Sequence, residues 1–319
     1  MEYLFLAISI VGIVFGADWL VGGAVSIAKR LKVSDFVIGA AIVGVGTSMP
    51  ELVVSFIGAV GGNSDVAIGN VIGSNVFNVF GILGLTAIFF PIAVAKSNMK
   101  FEIPVCIAVS VMFLLCAFNF FTIGTSEISW IDGIILLLFF AVFMYYSFYR
   151  DRKESKLAAS SASTSVPEEN GKVSPLWLSI VMLVGGLGLL ITSCDFFVDN
   201  AIIVAKSLGL SDAVIAITLI ACGTSLPELA ASVAAALKKN TQMALGNIVG
   251  SNIFNITLIL GLSSQVTTLT TKDIVLADYL VMIAASVLPI ILGYKGKIGR
   301  PAGVFLFAVF IAYNIHLIA

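Results

Sequence analysis

Charge is scarce in this chain. Only 11% of its residues are Asp, Glu, Lys or Arg and 59% are hydrophobic, whereas a soluble domain carries about 25% charged residues. That balance excludes a water-soluble globule and leaves an integral membrane protein. Histidine occurs once, at His316 near the C-terminus, and the lysines lie in polar loops. Ser48 and Ser225 are therefore without a general base, and neither GxGD nor HExxH occurs, so an intramembrane enzyme is not expected. The four cysteines (Cys106, Cys116, Cys194 and Cys222) all sit in apolar runs with no CxxC or metal-ligand spacing. They read as small packing residues. The first apolar run is too long for a cleavable signal peptide and has no basic start.

Ten apolar runs are long enough to cross a bilayer at about 20 residues per helix. They fall near 3–28, 36–60, 65–90, 101–119, 129–149, 175–200, 213–237, 242–268, 274–293 and 301–318; we refer to them as spans 1 to 10. The cations between them are unevenly divided. Fifteen of the 17 Lys and Arg residues fall in alternate loops, around Lys29, Lys96, Arg150, Lys238 and Lys295, and only Lys206 and Lys272 lie on the other side. The positive-inside rule then puts both termini outside the cell membrane and the 150–174 loop in the cytoplasm. That loop, with its Ala/Ser run at 158–165, reads as a flexible linker between a first half at 1–149 and a second at 175–319.

The halves are copies. Adding 177 carries Asp18 to Asp195, Glu51 to Glu228 and Asn78 to Asn255, and 31 of the 68 positions from Asp18 to Leu85 are identical without a gap. Five spans per copy is an odd number, so the copies run antiparallel across the membrane. This is the inverted-repeat plan of secondary transporters, whose substrate site lies near the midplane where the repeats meet.

Two motifs recur. The first is GTS-x-PE, at Gly46–Glu51 and Gly223–Glu228. It sets a carboxylate at hydrocarbon depth, where even the lenient insertion scale charges about 2.5–3.5 kcal/mol and a functional role is the default. Its proline should break the helix around 44–50 and 221–227 and free backbone carbonyls, which a membrane tolerates only around a cavity or within protein. The second is GN-x-x-GSN-x-FN, at Gly69–Asn78 and Gly246–Asn255. It places Ser74 with Asn78, and Ser251 with Asn255, on one helix face, and its GxxxG pairs allow close helix contact. Carboxylates, hydroxyls, amide oxygens and bared carbonyls are all hard donors. They select cations such as Na⁺ and Ca²⁺ over zinc or copper. Two glutamates carry −2, which one Ca²⁺ cancels and which two or three Na⁺ can also cancel.

Packing is the competing reading for Ser74, Ser251, Asn78 and Asn255, and the preferred one for Asn75 and Asn252. Ser34-Asp35 and Ser211-Asp212 read as helix caps. Asp18, Asp195 and Asp199 read either as interfacial groups or as part of a gate.

The doubled motifs, covering roughly 16–87 and 193–264, resemble the two alpha repeats of the sodium/calcium exchanger family within the cation/calcium antiporter superfamily. The resemblance implies an all-α integral membrane protein of ten transmembrane helices in two inverted five-helix repeats. Spans 2, 3, 7 and 8 would form the core, and spans 1 and 6 would slide past it. It implies cation ligands at Glu51 and Glu228, with Thr47, Ser48, Thr224, Ser225, Ser74, Asn78, Ser251 and Asn255, and backbone oxygens at Gly44 and Ala221. The expected function is electrogenic Na⁺/Ca²⁺ antiport by alternating access, with H⁺/Ca²⁺ or K⁺-dependent exchange as alternatives. Some relatives, the potassium-dependent branch among them, carry aspartate where this chain has Asn255, so transport here is expected not to require K⁺. Ca²⁺ and Na⁺ are cargo. No cofactor, nucleic acid or obligate protein partner is expected beyond the lipid bilayer.

Overall fold

The computed structural model describes residues 2–118, 127–161, 174–208, 221–270 and 274–318. It is a multi-pass, all-helical membrane protein. Seven helices are long and apolar enough to cross a membrane, and the bent pair Asp35–Thr47 and Met49–Val60 makes an eighth. Two shorter apolar helices, Leu226–Leu237 and Arg300–Ile315, stand where spans 7 and 10 are expected. The set is consistent with ten spans; the start of span 7, with Ser211-Asp212, lies outside the described residues. Large apolar side chains such as Val14, Ile57, Leu138, Val142, Val184 and Ile291 face outward. For a helix bundle in lipid that is the expected surface rather than a liability.

Spans 3 and 8 are the buried centre. Helix Thr241–Phe254 continues through a π turn, Asn255–Ile259, into Leu260–Val266. Span 3 repeats the pattern: Ser64–Val76, a π turn Phe77–Leu83, then Gly84–Phe89. Such i→i+5 turns recur at functional sites because they re-aim side chains within an otherwise regular helix. Span 2 crosses span 8 at backbone contact. A Cβ on Gly246 would run into the Phe36 carbonyl, and one on Gly250 into Ala40. The second GxxxG pair is thus a crossing point. The residues that the repeat sets opposite Gly69 and Gly73, near 213 and 217, lie outside the described residues.

Spans 1 and 6 form a long antiparallel pair, Glu2–Leu31 against Leu176–Ser207. Gly16 and Gly186 let the backbones touch: a Cβ on Gly16 would lie 2.6 Å from the Leu190 amide nitrogen. Two short ribbons tie the repeats together. Strand β1 (Ile92–Ala93) pairs antiparallel with the strand Lys297–Ile298, and the strand Glu127–Ile128 pairs with Leu269–Thr270. Each ribbon takes one strand from each repeat, as inverted copies require.

The helices break where the proline motif predicts. Ser48 (φ −83°, ψ 11°) separates Gly44–Thr47 from Met49–Val60, with a 47° bend between the flanking pieces. Ser225 has nearly the same conformation (φ −93°, ψ 7°) ahead of Leu226–Leu237. Ser34 caps its helix through a bond from the Val37 amide, 3.3 Å. One expectation is corrected. The segment expected to be a flexible linker from 150 instead continues the helix of span 5, which runs from Trp130 to Ser161. Glu154, Lys156, Ala158 and Ala159 are good helix formers, so the first half of the expected linker is helical.

Candidate ion-binding site

Each helix break delivers a hydroxyl and, three residues on, a carboxylate to the centre of the protein. Glu51, Glu228, Ser48 and Ser225 are all completely buried. Their bonding is reciprocal. Ser48 Oγ donates to Glu228 Oε1 at 2.7 Å, and Ser225 Oγ donates to Glu51 Oε1 at 2.8 Å. Each glutamate is therefore held by the serine of the opposite repeat. Pro50 and Pro227 fall in the first turn of the new helices, where a missing N–H costs nothing.

One oxygen of each carboxylate is thus satisfied and the other is not. Glu51 Oε2 and Glu228 Oε2 are buried without a hydrogen-bond partner, and so are Asn78 Oδ1, Asn255 Oδ1, Ser74 Oγ and Thr224 Oγ1. Leaving a buried polar group unpaired costs about 1–3 kcal/mol, and more when it is charged. All six of these oxygens belong to candidate ligands and are of the hard type that cations such as Na⁺ and Ca²⁺ take. No group of three His, Cys, Asp or Glu side chains able to hold a metal occurs among the described residues. The candidate site instead offers two carboxylates and neutral oxygens.

The remaining candidates are already engaged. Thr47 Oγ1 donates to Asn247 Oδ1 at 3.2 Å. The Gly44 carbonyl accepts from the Ser48 amide at 3.1 Å and from Ser251 Oγ at 3.3 Å. It is therefore not bared by the break. Ala221 opens the short helix Ala221–Gly223 just before Thr224.

Four residues that bond behind the candidate ligands escaped the sequence reading. Asn70 Nδ2 donates to the Glu51 carbonyl (3.2 Å) and to Ser55 Oγ (3.0 Å). Asn247 Nδ2 makes the mirror bonds to the Glu228 carbonyl (3.2 Å) and Ser232 Oγ (2.9 Å). These amides brace the first turn behind each glutamate. The signal was present in the repeat: Ser55 and Ser232, like Asn70 and Asn247, are related by the same offset of 177.

Known proteins resemble this chain over nearly its whole length. The family model described as sodium/calcium exchanger protein matches residues 1–149 and 178–319. The sodium/calcium exchanger MaX1 of Methanosarcina acetivorans is 33% identical, over 99% of this chain and 98% of that protein. The inner membrane protein YrbG of Escherichia coli is 32% identical over 97% and 94%. A solved structure of the sodium-calcium exchanger NCX_Mj, soaked with zero Na⁺ and Ca²⁺, superposes with a TM-score of 0.83 at 32% identity, over 99% of this chain and 98% of that one. Both repeats and both glutamate motifs fall inside the matched residues, and the chain belongs to the sodium/calcium exchanger family of membrane transporters.

Proposed function

We propose that this chain exchanges Na⁺ for Ca²⁺ across the cell membrane by alternating access. The observation that carries the reading is the pair of buried glutamates, each anchored by a serine of the other repeat and each with one unpaired oxygen. Uncompensated, two carboxylates in a low-dielectric interior are strongly unfavourable. One Ca²⁺, or two or more Na⁺, neutralises them. Only the neutralised core can be re-exposed to the opposite side at modest cost, so an empty site resists the transition and the two ions become coupled.

Glu51 and Glu228 would be the central ligands, joined by Ser48, Ser225, Ser74, Ser251, Asn78, Asn255 and Thr224, with the Ala221 carbonyl. Thr47, which only donates in its present bonds, would join them through its free lone pairs, and the Gly44 carbonyl only when its present hydrogen bonds open. No cofactor enters this scheme, since the ions are cargo. The distribution of Lys and Arg supports termini outside and the 150–174 segment in the cytoplasm. A cysteine placed at Ser163 in a cysteine-free background should then react with an impermeant thiol reagent only in inside-out vesicles.

The test is radioactive Ca²⁺ uptake into proteoliposomes under separate Na⁺, H⁺ and K⁺ gradients. An outward Na⁺ gradient should drive uptake without K⁺. Uptake driven by a proton gradient alone, or lost when K⁺ is removed, would replace this reading with one of its alternatives.

A further inference from the structure

Asn78 and Asn255 can serve a cation only through their carbonyl oxygens, because an amide turned the other way presents N–H groups that repel it. In an apolar surrounding nothing would choose between the two orientations. Here a chain of hydrogen bonds chooses. Asn75 Nδ2 donates to the Asn252 backbone carbonyl (3.2 Å), and Asn252 Nδ2 donates to the Asn75 backbone carbonyl (3.3 Å). A backbone carbonyl only accepts, so both of these side chains must turn their nitrogens to the backbone and their oxygens the other way. Those oxygens then accept from the second pair. Asn255 Nδ2 donates to Asn75 Oδ1 (3.0 Å), and Asn78 Nδ2 donates to Asn252 Oδ1 (2.9 Å). With their nitrogens occupied, Asn78 and Asn255 expose Oδ1 alone, and both of those oxygens are buried and unpartnered.

We infer that Asn75 and Asn252 are positioning residues that fix, crosswise between the repeats, which end of Asn255 and Asn78 faces the transported cation. The inference rests on the exchange reading above. It assigns these asparagines a task beyond joining helices: they set the sign of the dipole offered to the ion. It also explains why two neutral amides can serve at these places. A carboxylate has two equivalent oxygens and needs no such orienting partner, whereas an amide does.

The test is a coupling experiment in proteoliposomes with the intact chain. Outer groups that orient a metal ligand typically contribute about 10–100-fold to affinity. Asn75→Leu should raise the KM for Ca²⁺ at least tenfold while leaving the maximal rate within about twofold. In an Asn255→Asp background, where the ligand has no wrong end, the same substitution should raise KM less than twofold. In an Asn78→Asp background it should keep its tenfold effect. Asn252→Leu should show the reverse pattern, being suppressed by Asn78→Asp only. Asn75→Ala and Asn252→Ala, which add no bulk, form a parallel set should the leucine variants not be recovered folded.

An unchanged KM in the single variants would overturn the inference. So would equal effects in both aspartate backgrounds, or a loss confined to the maximal rate, which would return the asparagines to a packing role. Failure of the unsubstituted protein to exchange Na⁺ for Ca²⁺ is a separate result and would remove the exchange reading itself.

Discussion

The four central spans and the long pair that flanks them obey the repeat to different degrees. At the centre the bonds come in matched sets: Ser48 to Glu228 and Ser225 to Glu51, Asn70 behind Glu51 and Asn247 behind Glu228, and Asn75 and Asn252 donating to each other's backbone. Outside the centre the match fails. Gly46 packs on Leu187 and Gly223 on Val198, two positions of span 6 that the repeat does not relate. Span 1 lies along Leu226–Leu237, where Ile13, Val14 and Ala17 face Leu229, Ala230 and Val233. The corresponding helix, Met49–Val60, leaves Val53, Val54, Phe56, Ile57 and Val60 exposed. An inverted repeat placed symmetrically would be equally covered at both ends. The unequal cover therefore describes a state of the transporter, whereas the matched bonds describe its chemistry. With the proposed orientation, Leu226–Leu237 is the cytoplasmic half of span 7 and Met49–Val60 the outer half of span 2, so the conformation is covered toward the cytoplasm.

The largest effect should come from the matched centre and should be blind to which repeat is struck. Glu51→Gln and Glu228→Gln each remove one of the two charges that a divalent cation must meet. Each should reduce Na⁺-driven Ca²⁺ uptake at least 100-fold, as charged hydrogen-bonding partners in a buried site are not replaceable by neutral ones. Uptake near normal in either variant would detach that glutamate from transport and with it the symmetry of the site.

A smaller, unequal effect should mark where the match ends. Asn70 and Asn247 make the same two bonds, but Asn247 also accepts from Thr47 Oγ1, whereas among the described residues Asn70 accepts no such bond from Thr224, the counterpart of Thr47. Asn247→Ala should therefore cost more than Asn70→Ala, by about 1 kcal/mol for the added bond. That is roughly a fivefold difference in apparent Ca²⁺ affinity, read from initial rates at graded Ca²⁺. Equal losses would mean that the Thr47 bond carries no weight.

Much of the centre was legible in the sequence because the repeat writes it twice. A buried glutamate beside a proline, doubled at a fixed offset, announces a helix break in each repeat, and Ser48 and Ser225 break the helices with nearly identical backbone angles. The braces were harder to see. Asn70 and Asn247 look like members of a glycine-rich helix motif until folding brings the helix of each glutamate alongside them. The crosswise bonding of Asn75 and Asn252 was hidden for a different reason: no spacing within one chain segment reveals a contact between inverted copies. The Gly44 carbonyl was expected to be free because a proline follows, yet Pro50 removes a donor only from its own position and Ser48 still donates to Gly44. The unequal cover by spans 1 and 6 could not be read at all, since one sequence serves both states of the cycle. The helical extension to Ser161 was legible in composition but masked by the serine run that follows.

The smallest effect belongs to an ion pair that joins span 1 to span 7. Lys238 Nζ lies 2.8 Å from Asp18 Oδ1 and also donates to the Asp18 carbonyl at 2.7 Å. The repeat relates Asp18 to Asp195 but Lys238 to Gly61, so the other end of the molecule has no such lysine. If span 1 moves along Leu226–Leu237 to open the cytoplasmic side, this pair must break once per cycle. Both side chains are substantially exposed, at 32% and 58%, and exposed pairs contribute at most about 1 kcal/mol. Lys238→Gln should accordingly shift the balance toward the cytoplasm-open state by no more than about fivefold. Because apparent affinity scales with the fraction of protein in the competent state, affinity measured from the cytoplasmic face should rise about two- to fivefold, with the outer face changed less than twofold. High salt should shrink the difference, since exposed charges are screened. An equal change on both faces would show that Lys238 acts on the ion site rather than on the equilibrium between states, and the one-sided tie would lose its meaning.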